Sequence, residues 1–115
     1  MKKYNIQNYV RYKHDMSAVL NRLEDLPYEE YSRDELIARF LPLVENLARK
    51  FSTSQQAIGV MTINDLIQEG CYGLCAGADR IDWNTITEAN DPEKTLKSFL
   101  SKRIKGAIRR GIDSN

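Results

Sequence analysis

The densest chemical signal in this sequence is a run of bases near its C-terminus. Lys94, Lys97, Lys102, Arg103, Lys105, Arg109 and Arg110 fall within seventeen residues that contain no acid. A charged helix face is ordinarily just a solvated one, steadied by opposite charges three or four residues away. Here those partners are missing, so the face repels itself until an anion compensates, and a nucleic-acid phosphate backbone is the obvious anion. The segment before it has the opposite character. From Ile63 to Glu93 stand Asp65, Glu69, Asp79, Asp82, Glu88, Asp91 and Glu93 against one base, Arg80. The formal net charge is only +1, which hides this segregation. A chain that separates its charges in this way is expected to present two surfaces to two unlike partners.

Other reactive residue types offer less. His14 is the only histidine, and it lies on a polar helix face with no nucleophile at a fixed spacing. There is no glycine-rich phosphate loop, no His-Glu-x-x-His and no pair of carboxylates set to face a cleft, so a binding protein is expected, not an enzyme. Cys71 and Cys75 sit four apart in a helical pattern without a histidine or second cysteine pair nearby. A metal site needs more ligands at tighter spacing, so neither metal nor cofactor is expected. A disulfide would suit a secreted chain, yet no signal peptide or long apolar run is present. The two thiols read as buried groups in a reducing cytosol, which implies a cytoplasmic protein without a membrane partner.

Positioning these groups falls to helices. With 115 residues, 42% of them hydrophobic, the chain has one domain's worth of core. Tyr9, Tyr12, Met16, Val19, Leu23 and Leu26 recur at three- and four-residue steps and predict a helix over 4–26, closed by Pro27. Ser32 and Glu35 form a capping box that opens a second helix, with Leu36, Ile37, Phe40, Leu41, Leu43, Val44, Leu47, Ala48 and Phe51 inward. Pro42 inside that pattern predicts a kink or two abutting segments. A loop is expected over 51–61. Thr62 then caps a third helix, with Asp65 at its favourable N3 site and Ile63, Leu66, Ile67, Leu74 and Ala78 inward. Gly70, Gly73 and Gly77 each cost a helix about 1 kcal/mol relative to alanine, so three in one helix point to close backbone packing. The stretch 82–90 lacks periodicity and reads as a loop. Asp91-Pro92 starts the last helix, which turns Leu96, Phe99, Leu100, Ile104, Ala107, Ile108 and Ile112 inward and its bases outward. No strand alternates. The expected fold is all-α, a compact bundle of about four helices, with a helical extension over 1–31 and the site-bearing domain over 32–115.

Three blocks of residues resemble region 2 of bacterial sigma factors of the housekeeping and flagellar class. The first is Glu35-Leu36-Ile37 through Leu41-Pro42-Leu43-Val44 to Leu47-Ala48-Arg49-Lys50-Phe51. The second is Asp65-Leu66-Ile67-Gln68-Glu69-Gly70, then Gly73-Leu74, Ala78-Asp79-Arg80 and Ile81-Asp82. The third is Ser98-Phe99 with Ile104-Lys105-Gly106-Ala107-Ile108-Arg109-Arg110. Together they span 35–112 in the family's order and spacing. The short chain, ending just after the last basic helix, is similar to the small late sigma factors of tailed phages of the T-even and cyanophage type.

The resemblance implies a protein that binds the RNA polymerase core and directs it to promoters. Asp65, Gln68 and Glu69 would dock on the clamp helices of the polymerase's largest subunit, as exposed polar groups on one helix face. The last helix would hold the melted upstream promoter element as single strand, through Lys97, Phe99, Lys102, Arg103, Lys105, Arg109 and Arg110. Phe99 matches a position where the family stacks an aromatic on a flipped base. Standing one before Leu100, it falls either at the core edge or on the DNA face. The sequence departs from the family in carrying Lys102 and Arg103 where tandem tryptophans stand, and Gly106 where a glutamine reads a base. Phosphate contacts position DNA without specifying it, so relaxed sequence reading is expected. The family's distal-element and flap-binding domains have no room here, and a co-activator would supply them. An alternative is an interaction protein that occupies the clamp helices and blocks the host sigma factor. A third reading is a general DNA-binding helical module without a polymerase partner, which the acidic face disfavours.

Overall fold

The computed structural model describes residues 26–53 and 61–114. The helix expected over 4–26 falls outside them except for its last residue, as does most of the loop expected over 51–61. A single 3-10 turn, Tyr28–Glu30, leads into helix α1, Arg33–Ser52. Helix α2 spans Ile63–Ala78, α3 spans Trp83–Glu88 and α4 spans Pro92–Ser114. Among the described residues the protein is all-helical, with no strand.

Helix starts follow local chemistry. At α1 the Glu35 N–H donates to Ser32 Oγ (3.2 Å) and the Ser32 N–H donates to Glu35 Oε1 (2.8 Å). The same reciprocal box opens α2, with the Asp65 N–H on Thr62 Oγ1 (3.1 Å) and the Thr62 N–H on Asp65 Oδ2 (3.0 Å). Each box satisfies two backbone donors that the first turn leaves orphaned. Asp91 Oδ1 accepts from the Lys94 N–H (3.1 Å) ahead of Pro92. Helix α1 runs unbroken through Pro42. The proline is exposed, so its ring and missing donor lie on the solvent side, where they disturb packing least.

Two expectations are corrected. Ile63, expected inward, is 38% exposed at the first position of α2. The stretch 82–90 contains α3, not only loop. Asp82 caps it, accepting from the Asn84 N–H (3.1 Å) and the Thr85 hydroxyl (2.9 Å). Periodicity could not reveal this helix, because in its six residues only Ile86 is buried, at 4% exposure.

Leu41 and Val44 from α1, Leu66 and Leu74 from α2, and Leu96, Leu100, Ile104 and Ile108 from α4 are fully buried. Tyr28 and Tyr31 pack against the edge of this core, and the Tyr28 hydroxyl donates to Glu93 Oε1 at 3.0 Å. How closely α2 meets its neighbours is set by its glycines. A Cβ on Gly73 would lie 2.5 Å from the Arg103 carbonyl oxygen, 2.8 Å from Ala107 Cβ and 2.9 Å from Ile104 Cα. A Cβ on Gly70 would lie 2.7 Å from Val44 Cγ1. The α2 and α4 backbones therefore touch at Gly73 without a side chain between them.

Gly73→Ala is accordingly expected to lower the unfolding free energy by about 1–3 kcal/mol through overpacking, against alanine's better helix propensity. Urea denaturation of the variant checks this, and unchanged or raised stability would contradict so close an approach.

Candidate nucleic-acid interface

Helix α4 offers its outer face to solvent. Lys97, Lys102, Arg103, Arg109 and Arg110 are exposed and Lys105 is half-buried. Lys102, Arg109 and Arg110 share that face between Arg103 and Lys105, which stand on its two flanks about 160° apart. Lys97 is not with them, standing about 140° around the helix from Lys102. No base of α4 forms an ion pair among the described residues.

Phe99 falls at the core edge, one of the two positions that the sequence left open. It is half-buried against the core and it also lines a groove of about 570 Å³ between the α2–α3 connection, α3 and the first half of α4. Buried Ile86 and half-buried Ile81 and Phe99 form the groove's apolar floor, while exposed Arg80, Lys94 and Lys102 stand around it. The hydroxyl-bearing Thr85, Thr95 and Ser98 and one acid, exposed Asp82, complete the lining. An apolar floor with a few polar groups and three bases against one acid suits a flat, hydrogen-bonding ring attached to an anion.

Arg103 is less free than its exposure suggests. A Cβ on Gly77 would meet Arg103 Cγ at 3.1 Å and Cβ at 3.2 Å, so the Arg103 stem lies against α2. Its guanidinium carbon sits 5.2 Å from the centre of the Phe99 ring, a cation–π contact. Arg109 makes a similar contact with Phe51, at 5.6 Å. Both arginines are thus held by aromatic rings.

The acidic segment is largely occupied with holding the fold. Asp65 closes the α2 capping box, Asp82 and Asp91 cap α3 and α4, and Glu93 accepts from Tyr28. Asp79 takes both arms of Arg33, with Arg33 Nη2 to Oδ2 at 3.1 Å; that hydrogen-bonded guanidinium holds the Asp79 carboxyl below its usual range. Five of the seven acids from Ile63 to Glu93 therefore have polar structural partners, while among the described residues no base beyond them has an acidic one.

Of the three residues expected to dock as exposed groups, only Asp65 is exposed; Gln68 and Glu69 are half-buried. The cause lies on the neighbouring helix. A Cβ on Gly111 would fall 2.7 Å from Glu69 Cγ and 3.0 Å from Cδ, so the Glu69 side chain lies along α4. Reasoning from the sequence missed the groove residues Ile81 and Ile86. It also left out Arg80, the lone base in an acidic stretch, whose isolation is a signal that could have pointed there.

Cys71 and Cys75 are free and buried, at 4% and 9% exposure. Burial, with a smaller effect from Cys75, pushes the Cys71 thiol up to about 12 from its usual 9.0. It should resist iodoacetamide at pH 8 in the native protein and react once the chain is unfolded. The unfolded thiol ionises first, so stability is full below pH 9 and declines as pH rises toward 12. Rapid native alkylation would contradict this burial.

Compared with known proteins, the chain matches no family model, no curated protein and no solved structure.

Proposed function

We propose that this chain is a sigma-like initiation factor that docks on the RNA polymerase core and directs it to promoters by holding the melted upstream element along α4. The observation that carries the reading is the groove at Phe99, an apolar floor lined by three bases, Arg80, Lys94 and Lys102, against a single acid, Asp82. A base turned out of the duplex would stack on Phe99, and the lysines and arginine would meet the phosphates on either side. The hydroxyls of Thr95 and Ser98 would supply donors and acceptors at the base edge, and that of Thr85, which donates to Asp82, an acceptor. Lys102 and Arg103 position the strand without reading it, which goes with relaxed sequence preference. The work would take place in a bacterial cytoplasm.

Core docking falls to Asp65, Gln68 and Glu69. With Asp65 tied into its capping box and Glu69 leaning on Gly111, Gln68 and the carboxylate oxygens of the other two carry the contact. The blocker reading is favoured by one observation, the basic pair Lys102 and Arg103 where the family's tryptophans stand.

Two experiments bear on this function. Phe99→Leu preserves apolar packing at the core edge and removes the aromatic face. It should leave stability within about 1.5 kcal/mol and weaken binding to a melted promoter strand by about 1–3 kcal/mol. Normal strand binding by a stable variant would remove Phe99 as a stacking platform and favour the blocker. For docking, Gln68→Ala combined with Glu69→Gln keeps the packing against Gly111. Co-purification with core polymerase should fall by roughly tenfold or more, as expected when a charge-assisted contact is lost. Undiminished co-purification would place the docking surface elsewhere.

A further inference from the structure

Gly106 stands in the middle of the basic face, and nothing among the described residues accounts for it. Gly70, Gly73, Gly77 and Gly111 each sit against a neighbouring helix, where an added Cβ would come within 2.5 to 3.1 Å of its nearest atom. A Cβ on Gly106 would meet only Arg110 Nη1, at 3.5 Å, an ordinary contact. A glycine inside a helix is less stable than an alanine, so a position with room for a side chain and none present calls for a reason.

Its surroundings supply one. On a helix surface a residue's neighbours are those three and four positions away. For Gly106 these are Lys102, Arg103, Arg109 and Arg110, and all four are bases. Phe99 holds the Arg103 guanidinium at 5.2 Å and Phe51 holds that of Arg109 at 5.6 Å, while Arg110 leans back over the glycine. The result is a hollow one side chain deep, floored by backbone and ringed by cations.

We propose that this hollow seats one phosphodiester of duplex DNA, with Gly106 letting the DNA backbone approach α4 more closely than any side chain would allow. The inference rests on the nucleic-acid reading of α4 and not on polymerase docking. A neutral or cationic partner would leave four mutually repelling bases uncompensated, whereas a phosphodiester places a negative charge among them and lowers their repulsion. Duplex fits better than single strand, because single strands are held by aromatic stacking, and the aromatic beside the hollow on the Arg109 side, Phe51, already carries that guanidinium, leaving bases and backbone for phosphate contacts. The hollow lies about 10 Å along the helix from Phe99, so DNA whose flipped base enters the groove can still be paired there.

The test uses the full chain with Gly106→Ala and Gly106→Leu, and Lys102→Ala with Arg109→Ala as a charge-loss control. Fluorescence anisotropy reads binding to a short blunt duplex and to one of its single strands, and thermal melts run alongside. Both glycine variants should melt at or above the parent temperature. Duplex affinity should drop severalfold for alanine and about tenfold or more for leucine, the scale of one lost charge-assisted contact, while single-strand affinity changes less. Unchanged duplex affinity in both glycine variants, with a loss in the control, would mean that the face binds DNA without close approach, overturning the proposal. Equal losses for duplex and single strand would overturn the duplex assignment, and a lowered melting temperature would make Gly106 a packing residue instead. A control that loses nothing would remove the nucleic-acid reading and this inference with it.

Discussion

The separation of α2 and α4 is set by Gly73, where one helix backbone rests on the other at Arg103, Ile104 and Ala107. Most of the architecture follows from that contact. With α2 this close, Leu96, Leu100, Ile104 and Ile108 of α4 are carried fully out of water against Leu66, Leu74 and Val44, each burial stabilising by about 1.5–3 kcal/mol. The opposite face of α4 is then committed to solvent, and the bases have nowhere else to go. The glycines weaken α2 as an isolated helix by about 1 kcal/mol each, a cost outweighed by the apolar face they allow α4 to bury.

Magnitudes also explain how a self-repelling face persists. Like charges a turn apart destabilise a helix by a few tenths of a kcal/mol per pair, well below the burial of even one α4 leucine. The core therefore holds the basic face in place without an anion, and an arriving phosphate relieves the repulsion. The acids take the opposite course. Asp65, Asp82 and Asp91 serve helix starts, Asp79 holds Arg33 and Glu93 holds Tyr28. What the sequence displays as two charged segments is, in the fold, an acidic segment spent largely on local structure and a basic one left facing outward.

Features encoded within one or two helical turns were legible in advance. The capping boxes at Ser32 and Thr62 need only residues three apart, and the Gly70, Gly73 and Gly77 series announced close packing before its partner was known. Features assembled between elements were not. The half-burial of Glu69 depends on Gly111 on another helix, and no pattern within α2 could show it. Helix α3 buries only Ile86 and so has no stripe to detect. The groove joins Arg80, Ile81 and Ile86 to Phe99 across the α3–α4 turn, and Arg103 turned out to lean on Phe99 instead of standing free.

The central claim, that α4 and the α2 face together make an initiation factor, is tested most directly by transcription with purified core polymerase on a linear template carrying a pre-opened bubble. Such a template removes the need for strand melting, the step for which Lys102 and Arg103 are least suited. Core polymerase supplemented with this chain should yield transcripts of one defined start, set at a fixed distance from the bubble, that core alone does not produce. Absence of any such start, together with suppression of transcription driven by a host sigma factor, would contradict the claim and leave the protein a blocker of the clamp helices.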